Sequence, residues 1–167
     1  TDVLSMVQSG VENVVASSGT SLTTEQIKLI SRFTKNITVI YDGDAAGIKA
    51  SLRGIDMILA EGLNVRCVSL PDGEDPDSFA RSHTATELND YIVSNEVDFI
   101  TFKTRLLLDE VKNDPMGRAE VITDIVRSIA AIPDSITRSE FARSCARMLD
   151  SDEQLIVTEV ERRRISV

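Results

Sequence analysis

"VIYDGDAAGIKASL", residues 39–52, is the stretch on which the fold turns. A run of β-branched residues, the signature of a buried strand, gives way at Asp42-Gly43-Asp44 to an alanine-rich segment with helical spacing. Ile48, Leu52, Ile55 and Leu59 follow one another at intervals of four, three and four, and Gly62 ends the run as a C-terminal glycine does. "NVRCVSL", residues 64–70, then returns to strand composition. Strand, amphipathic helix, strand is the pattern of two parallel strands joined by a crossover helix, so the segment predicts an α/β fold.

Further upstream, residues 1–10 read as a short helix, with Val3, Leu4, Met6 and Val7 on one face and Gly10 as its stop. "VENVVAS", residues 11–17, reads as a strand. "SSGTSLT", residues 17–23, is then a strand-to-helix turn able to turn its amides towards a phosphate. Thr23 and Gln26 form a capping box for a helix whose Ile27, Ile30 and Phe33 make the buried stripe. Downstream, Thr84 and Glu87 form another capping box, and beyond it the pattern predicts helices only. One stripe runs through Val97, Ile100, Thr104, Leu107 and Val111, and a second through Ala119, Ile122, Val126 and Ile129 behind Asp114-Pro115. A third carries Phe141, Cys145 and Met148, and a fourth, with Ile156 and Val160, is boxed by Ser151 and Gln154. The expected architecture is a mostly parallel sheet with flanking helices over residues 1–95, followed by a small helical bundle over residues 96–167.

Charge divides the chain unevenly. Residues 1–98 hold 15 acids against 7 bases, and residues 99–167 hold 12 against 11. A surface that grips phosphate directly is basic, so this charge by itself argues against a direct phosphate-backbone grip by the front part. Carboxylates that hold divalent cations escape this argument, because the ions then face the phosphate. Cys67 and Cys145 stand alone in apolar segments, which predicts two reduced thiols in a cytoplasmic protein. No stretch has the length of a membrane span.

Ligands of open α/β sheets sit at the carboxyl ends of the strands. Asp42 and Asp44 lie at one such end. "LPDGEDPDSF", residues 70–79, adds Asp72, Glu74, Asp75 and Asp77 at the next. Crowded carboxylates repel one another and raise each other's pKa, and a hard divalent cation removes that repulsion. Magnesium takes oxygen ligands and leaves positions for water and phosphate, manganese suits the same donors, and zinc lacks its Cys and His partners here. Two such ions about 4 Å apart stabilise both oxygens of a phosphoryl transfer. Either segment alone is equally an ordinary turn with a cap, Asp44 for one helix and Asp77 for another. Caps account for one acid per helix, and the pair of segments supplies six.

"YDGDAAGIKAS", followed after one helix and one strand by "LPDGEDPDSF", resembles the Toprim module of bacterial DNA primases of the DnaG type, and "TDVLSMVQSGVENVVASSGTSLTTEQ" resembles the segment before it. The likeness is specific over residues 1–82 and weaker over the helical rear, where that family also has a helical subdomain. It implies a template-directed RNA polymerase making short primers on single-stranded DNA from ribonucleoside triphosphates, with magnesium as cofactor and manganese as a substitute. Asp42, Asp44 and Asp75 are then catalytic metal ligands joined by Asp77 and Asp2, and Gly43 and Gly47 serve turn and packing. The family's E-G-x-x-D pattern places Asp2 as its final acid, so its glutamate is expected upstream of Thr1. The zinc-binding domain, the basic polymerase subdomain and the domain contacting the replicative helicase are likewise expected outside the chain. The isolated chain is therefore expected to bind metal weakly and to make no primers. Other Toprim enzymes, such as topoisomerases, nucleases and phage primase-helicases, share the paired aspartates. A phospho-accepting response-regulator-like module shares the acidic edge but leaves the second acidic loop unexplained.

Overall fold

The computed structural model describes residues 1–17 and 21–165; residues 18–20 of the expected phosphate-facing turn lie outside the described residues. The first helix, α1, spans Asp2–Gln8, and α2 spans Thr24–Ser31 behind the Thr23/Gln26 capping box. Strand β1 (Asn36–Tyr41) leads into α3 (Ala45–Ser51), a 3-10 turn (Leu52–Gly54) and α4 (Ile55–Ala60). Strand β2 (Asn64–Ser69) follows, then α5 (Pro76–Ser82) and α6 (Ala85–Asn95). A two-residue strand, β3 (Val97–Asp98), precedes α7 (Phe99–Leu108), α8 (Pro115–Ala131), α9 (Ser135–Met148) and α10 (Glu153–Ile165).

The sheet has the order β1-β2-β3, with β1 parallel to β2 and β3 antiparallel to it. The stripe of Ile48, Leu52, Ile55 and Leu59 packs on this sheet at 3–6 % exposure, even though the 3-10 turn interrupts the helix. The large hydrophobic cluster runs on from there through Phe99, Ile125, Ile129, Leu149, Ile156 and Val160, so sheet and helical bundle share one core. A smaller cluster joins Met6, Leu70, Phe79 and Leu88 under α1 and α5.

Five local expectations are corrected. Residues 11–17 form no strand, because no neighbour pairs with them among the described residues; Val11 and Val14 pack on the smaller cluster while Val15 is 73 % exposed. Phe33 leaves the predicted stripe, because α2 ends at Ser31 and the following turn carries its ring outward to 84 % exposure. The rear is not purely helical, since Asp98 closes β3 before capping α7 through Thr101 N–H. Asp152, not Ser151, accepts the first amide of α10, from Leu155 at 2.7 Å. On α1, Met6 faces inward but Leu4 and Val7 do not.

Two buried cations tie the bundle together at positions that periodicity does not mark. Arg138 donates to the carbonyls of Ile132 and Pro133 at 2.8 and 2.9 Å and pairs with Glu161, closing the end of α8 against α9 and α10. Arg164, in the terminal Arg162-Arg163-Arg164 run, donates to the Ala130 carbonyl and is thus not simply a solvated side chain. Lys103, 1 % exposed, donates to Ser128 Oγ at 2.7 Å and pairs with Asp124 at 3.2 Å. The Asp124 side chain remains 41 % exposed, so it stays hydrated if the lysine is removed. Lys103→Met keeps the volume but also removes the cation that draws down the partly buried Asp56 carboxyl, so it is expected to cost about 3 kcal/mol, and Lys103→Ala, which adds a cavity, more. Urea denaturation of both variants checks this; a cost below about 1 kcal/mol for the methionine would mean that the buried cation does not hold the bundle.

Candidate metal centre

The in-register pairing of Tyr41 with Ser69 ends both parallel strands at the same level. The ladder continues one step, Leu70 N–H donating to the Tyr41 carbonyl at 3.0 Å, and the two acidic loops leave the same edge side by side. Gly43 N–H then donates across to the Glu74 carbonyl at 3.0 Å, while Glu74 N–H closes its own turn onto the Pro71 carbonyl. Gly73 makes that turn at φ +79°. The loops lie so close that a Cβ on Gly43 would stand 2.1 Å from the Pro71 carbonyl oxygen and 2.9 Å from Asp72 Cα.

This apposition sorts the six acids. Asp44 is the N-cap of α3, its Oδ1 accepting from Ala46 N–H at 3.1 Å. Its other oxygen lies 3.1 Å from where a Cβ on Gly47 would be. Gly47 therefore leaves room for the Asp44 carboxylate; what a side chain there would meet is that carboxylate, not the strand. Asp75 is the N-cap of α5, accepting from Ser78 N–H at 2.7 Å, so the cap expected at Asp77 belongs to Asp75. Each cap uses one oxygen and leaves the other free. Asp77 instead accepts from Ser5 Oγ on α1 and pairs with Arg81 at 3.0 Å, which anchors α1 to α5. Glu74 accepts from Ser78 Oγ.

Asp42, exposed between the loops, has its carboxyl pushed above the ordinary range, first by partial loss of water and then by the charges of Asp2, Asp75 and Asp44. The structure thus brings Asp2, Asp42, Asp44 and Asp75 within one electrostatic neighbourhood, and among the described residues none of the four is in an ion pair. Asp72 is not among the charges acting on Asp42. Among the described residues no group of three or more Asp, Glu, His or Cys side chains is close enough together to hold a metal ion as a set. An open set of oxygen donors with unrelieved repulsion fits magnesium, which takes one or two carboxylates directly and keeps most of its water. It does not fit zinc, for which the donors are wrong.

Ser5, Ser78 and the Gly43–Glu74 bond were not readable from sequence. Ser5 meets Asp77 across 72 residues of chain, and no local pattern announces such a contact.

A family profile described as Toprim-like matches residues 1–80, and one described as the DnaB-helicase binding domain of primase matches residues 100–154. The second falls inside the chain, whereas the resemblance alone implies a helicase contact outside it. A DNA primase of Staphylococcus epidermidis is 29% identical over 160 residues, 96% of this chain and 27% of that protein. A DNA primase domain from Pseudomonas aeruginosa superposes with a TM-score of 0.80 at 27% identity, over 96% of this chain and 51% of the other. A DnaG primase catalytic domain bound to single-stranded DNA gives a TM-score of 0.77 at 29% identity, over 92% of this chain and 50% of the other. The chain thus spans about a quarter of the curated relative and about half of each solved chain.

Proposed function

Since the chain belongs to the bacterial DNA primase family, spanning its Toprim portion and the helical portion that follows, we propose that it supplies the metal-holding half of a template-directed, magnesium-dependent nucleotidyltransferase making RNA primers on single-stranded DNA. The single observation that carries this reading is the pooling of Asp42, Asp44 and Asp75 at two strand ends held together through Gly43, with Asp2 near them at the start of α1. Residues 1–95 are the catalytic Toprim subdomain in this reading and residues 96–167 the helical subdomain.

Asp42, Asp44 and Asp75 hold the cation, through the oxygens their caps leave free in the case of Asp44 and Asp75. Asp2 adds negative charge from the start of α1, and Asp77 positions α1 against α5 through Ser5 and Arg81. Magnesium held by these residues would supply charge neutralisation for a ribonucleoside triphosphate and for the pyrophosphate released when a primer 3′-hydroxyl attacks the α-phosphorus. The strand ends keep the carboxylates aligned without reorganisation. The raised carboxyl of Asp42 makes protons compete with the cation, so metal affinity falls as the pH is lowered towards that group's pKa.

The basic DNA-gripping surface and the zinc-binding domain belong to other parts of the whole protein, and primer synthesis is the activity of that whole, not of these 167 residues alone. The helicase contact is assigned to the helical portion on the strength of the profile over residues 100–154. The protein works in the cytoplasm at the replication fork.

The test is magnesium-dependent incorporation of labelled ribonucleotides on a single-stranded template by the full-length protein, paired with a manganese titration followed by electron paramagnetic resonance. Asp42→Asn is expected to weaken manganese binding about tenfold or more. Manganese affinity unchanged by that substitution, or anomalous scattering placing the ion away from Asp42, Asp44 and Asp75, would remove the reading.

A further inference from the structure

Within the acidic front part, α2 and the turn after it carry Lys28, Arg32 and Lys35 within eight residues. Of the other cations of the sheet region, Lys49, Arg66 and Arg81 are in ion pairs with Glu110, Glu96 and Asp77, and Arg53 stands apart on the 3-10 turn. Among the described residues Lys28, Arg32 and Lys35 have no ion pair. Lys28 and Arg32 are four apart and share a face. Leu29 on α2 and Phe33 in the turn that follows it are 54 % and 84 % exposed. An aromatic ring this exposed, ringed by free cations in a chain of net charge -9, has no packing explanation within the fold. Glu25, the acid of α2's first turn, lies two turns back along the helix.

We propose that the end of α2 is a contact for single-stranded DNA: Phe33 stacks a base while Lys28, Arg32 and Lys35 take the flanking phosphates. This inference rests on the primase reading, which supplies single-stranded DNA as the substrate. The chemistry is that of sequence-tolerant single-strand binders, which combine a cationic track with an aromatic face. Duplex DNA does not meet it, because its bases are stacked on each other and unavailable to Phe33. Residues 32–35 join α2 to the start of β1, and the strand rises about 20 Å from Asn36 to Asp42 at its far end. The patch therefore steers the strand a few nucleotides away from the carboxylates and leaves the chemistry to them.

The experiment is fluorescence anisotropy of a labelled oligothymidylate of about 16 nucleotides, within the range of single-strand site sizes, with the 167-residue chain in EDTA over a range of salt. Phe33→Ala is expected to weaken binding about tenfold. The triple variant Lys28→Ala/Arg32→Ala/Lys35→Ala is expected to lower the slope of log affinity on log salt by about 2, at about 0.7 per phosphate contact. Because EDTA removes any metal bridge, the outcome does not depend on the carboxylates, and failure of the metal reading and failure of this one are separate results. No binding by the parent chain, unchanged affinity in Phe33→Ala, or an equal loss on duplex DNA overturns the proposal. So does concentration-dependent self-association abolished by Phe33→Ala, which would make the patch a protein contact. Phe33 is too exposed for its removal to unfold the chain, and circular dichroism verifies that.

Discussion

Asp42→Asn in the full-length enzyme is expected to lower primer synthesis by about 10²- to 10³-fold, while binding of single-stranded DNA stays within about twofold of the parent. The amide keeps the size and shape of the carboxylate, so packing is undisturbed, and what it removes is the charge. A metal's stabilisation of phosphoryl-transfer charge amounts to several kcal/mol, and each 1.36 kcal/mol is a factor of ten in rate. Folding should not suffer. The Asp42 carboxyl is pushed up by lost water and by Asp2, Asp75 and Asp44, so its ionised form is held at a cost when no cation is bound. The sign follows: a raised carboxylate destabilises the fold above its folded pKa and ceases to do so as the pH falls through it. The neutral asparagine therefore leaves thermal stability equal to or above that of the parent without metal, and below it when magnesium is saturating. Primer synthesis within about threefold of the parent would remove Asp42 from the chemistry.

The second large effect is expected at Gly43. Alanine there places a Cβ 2.1 Å from the Pro71 carbonyl oxygen and 2.9 Å from Asp72 Cα. Both obstacles are backbone, which no rotamer change relieves. The two loops must part, breaking the 3.0 Å bond from Gly43 N–H to the Glu74 carbonyl and drawing Asp42 and Asp44 away from Asp75. Overpacking of this kind costs about 3 kcal/mol, and for a domain of this size that is a fall of about 6–12 °C in Tm. Misplacement of reacting groups by about 1 Å costs about 10²-fold in rate, so Gly43→Ala should abolish primer synthesis even below its Tm. Gly73→Ala is the control. It lies at φ +79° with nothing within 4 Å of its missing Cβ, so it should cost about 1–2 kcal/mol of backbone strain and leave most activity intact. Equal activity losses in the two variants would mean that loop conformation matters and loop apposition does not. Differential scanning calorimetry and single-turnover primer extension separate the two contributions.

Gly43 also illustrates how far a sequence can be read. Its neighbours already identify a strand end, a helix start and a pair of acids, because these follow from composition and spacing over a few residues. Its own importance comes from Pro71, twenty-eight positions away, and no periodicity encodes a clearance between two backbones. Phe33 marks the opposite failure. Its spacing from Ile27 and Ile30 is right for a buried stripe, but the helix ends at Ser31, and past that point helical spacing no longer says which way a ring points. The strand expected at residues 11–17 has the composition of a strand without a partner to complete its hydrogen bonds.

By itself the sequence determined the strand–helix–strand unit of residues 36–69 with its parallel β1–β2 pair, the capping boxes at Thr23 and Thr84 and the presence of two acidic loops at successive strand ends. All of these rest on local propensity, on periods of 2 or 3.6 residues and on topological rules that hold for any chain. Only the tertiary structure decided which acids meet. It placed Asp2, Asp44 and Asp75 where their charges act on Asp42, tied Asp77 to Ser5 and Arg81 and Glu74 to Ser78, and buried Lys103 and Arg138 in the bundle. The physical reason is the range of the forces. Backbone preference acts between residues a few positions apart, whereas repulsion, desolvation and steric exclusion act through space between segments that the chain brings together only after it has folded.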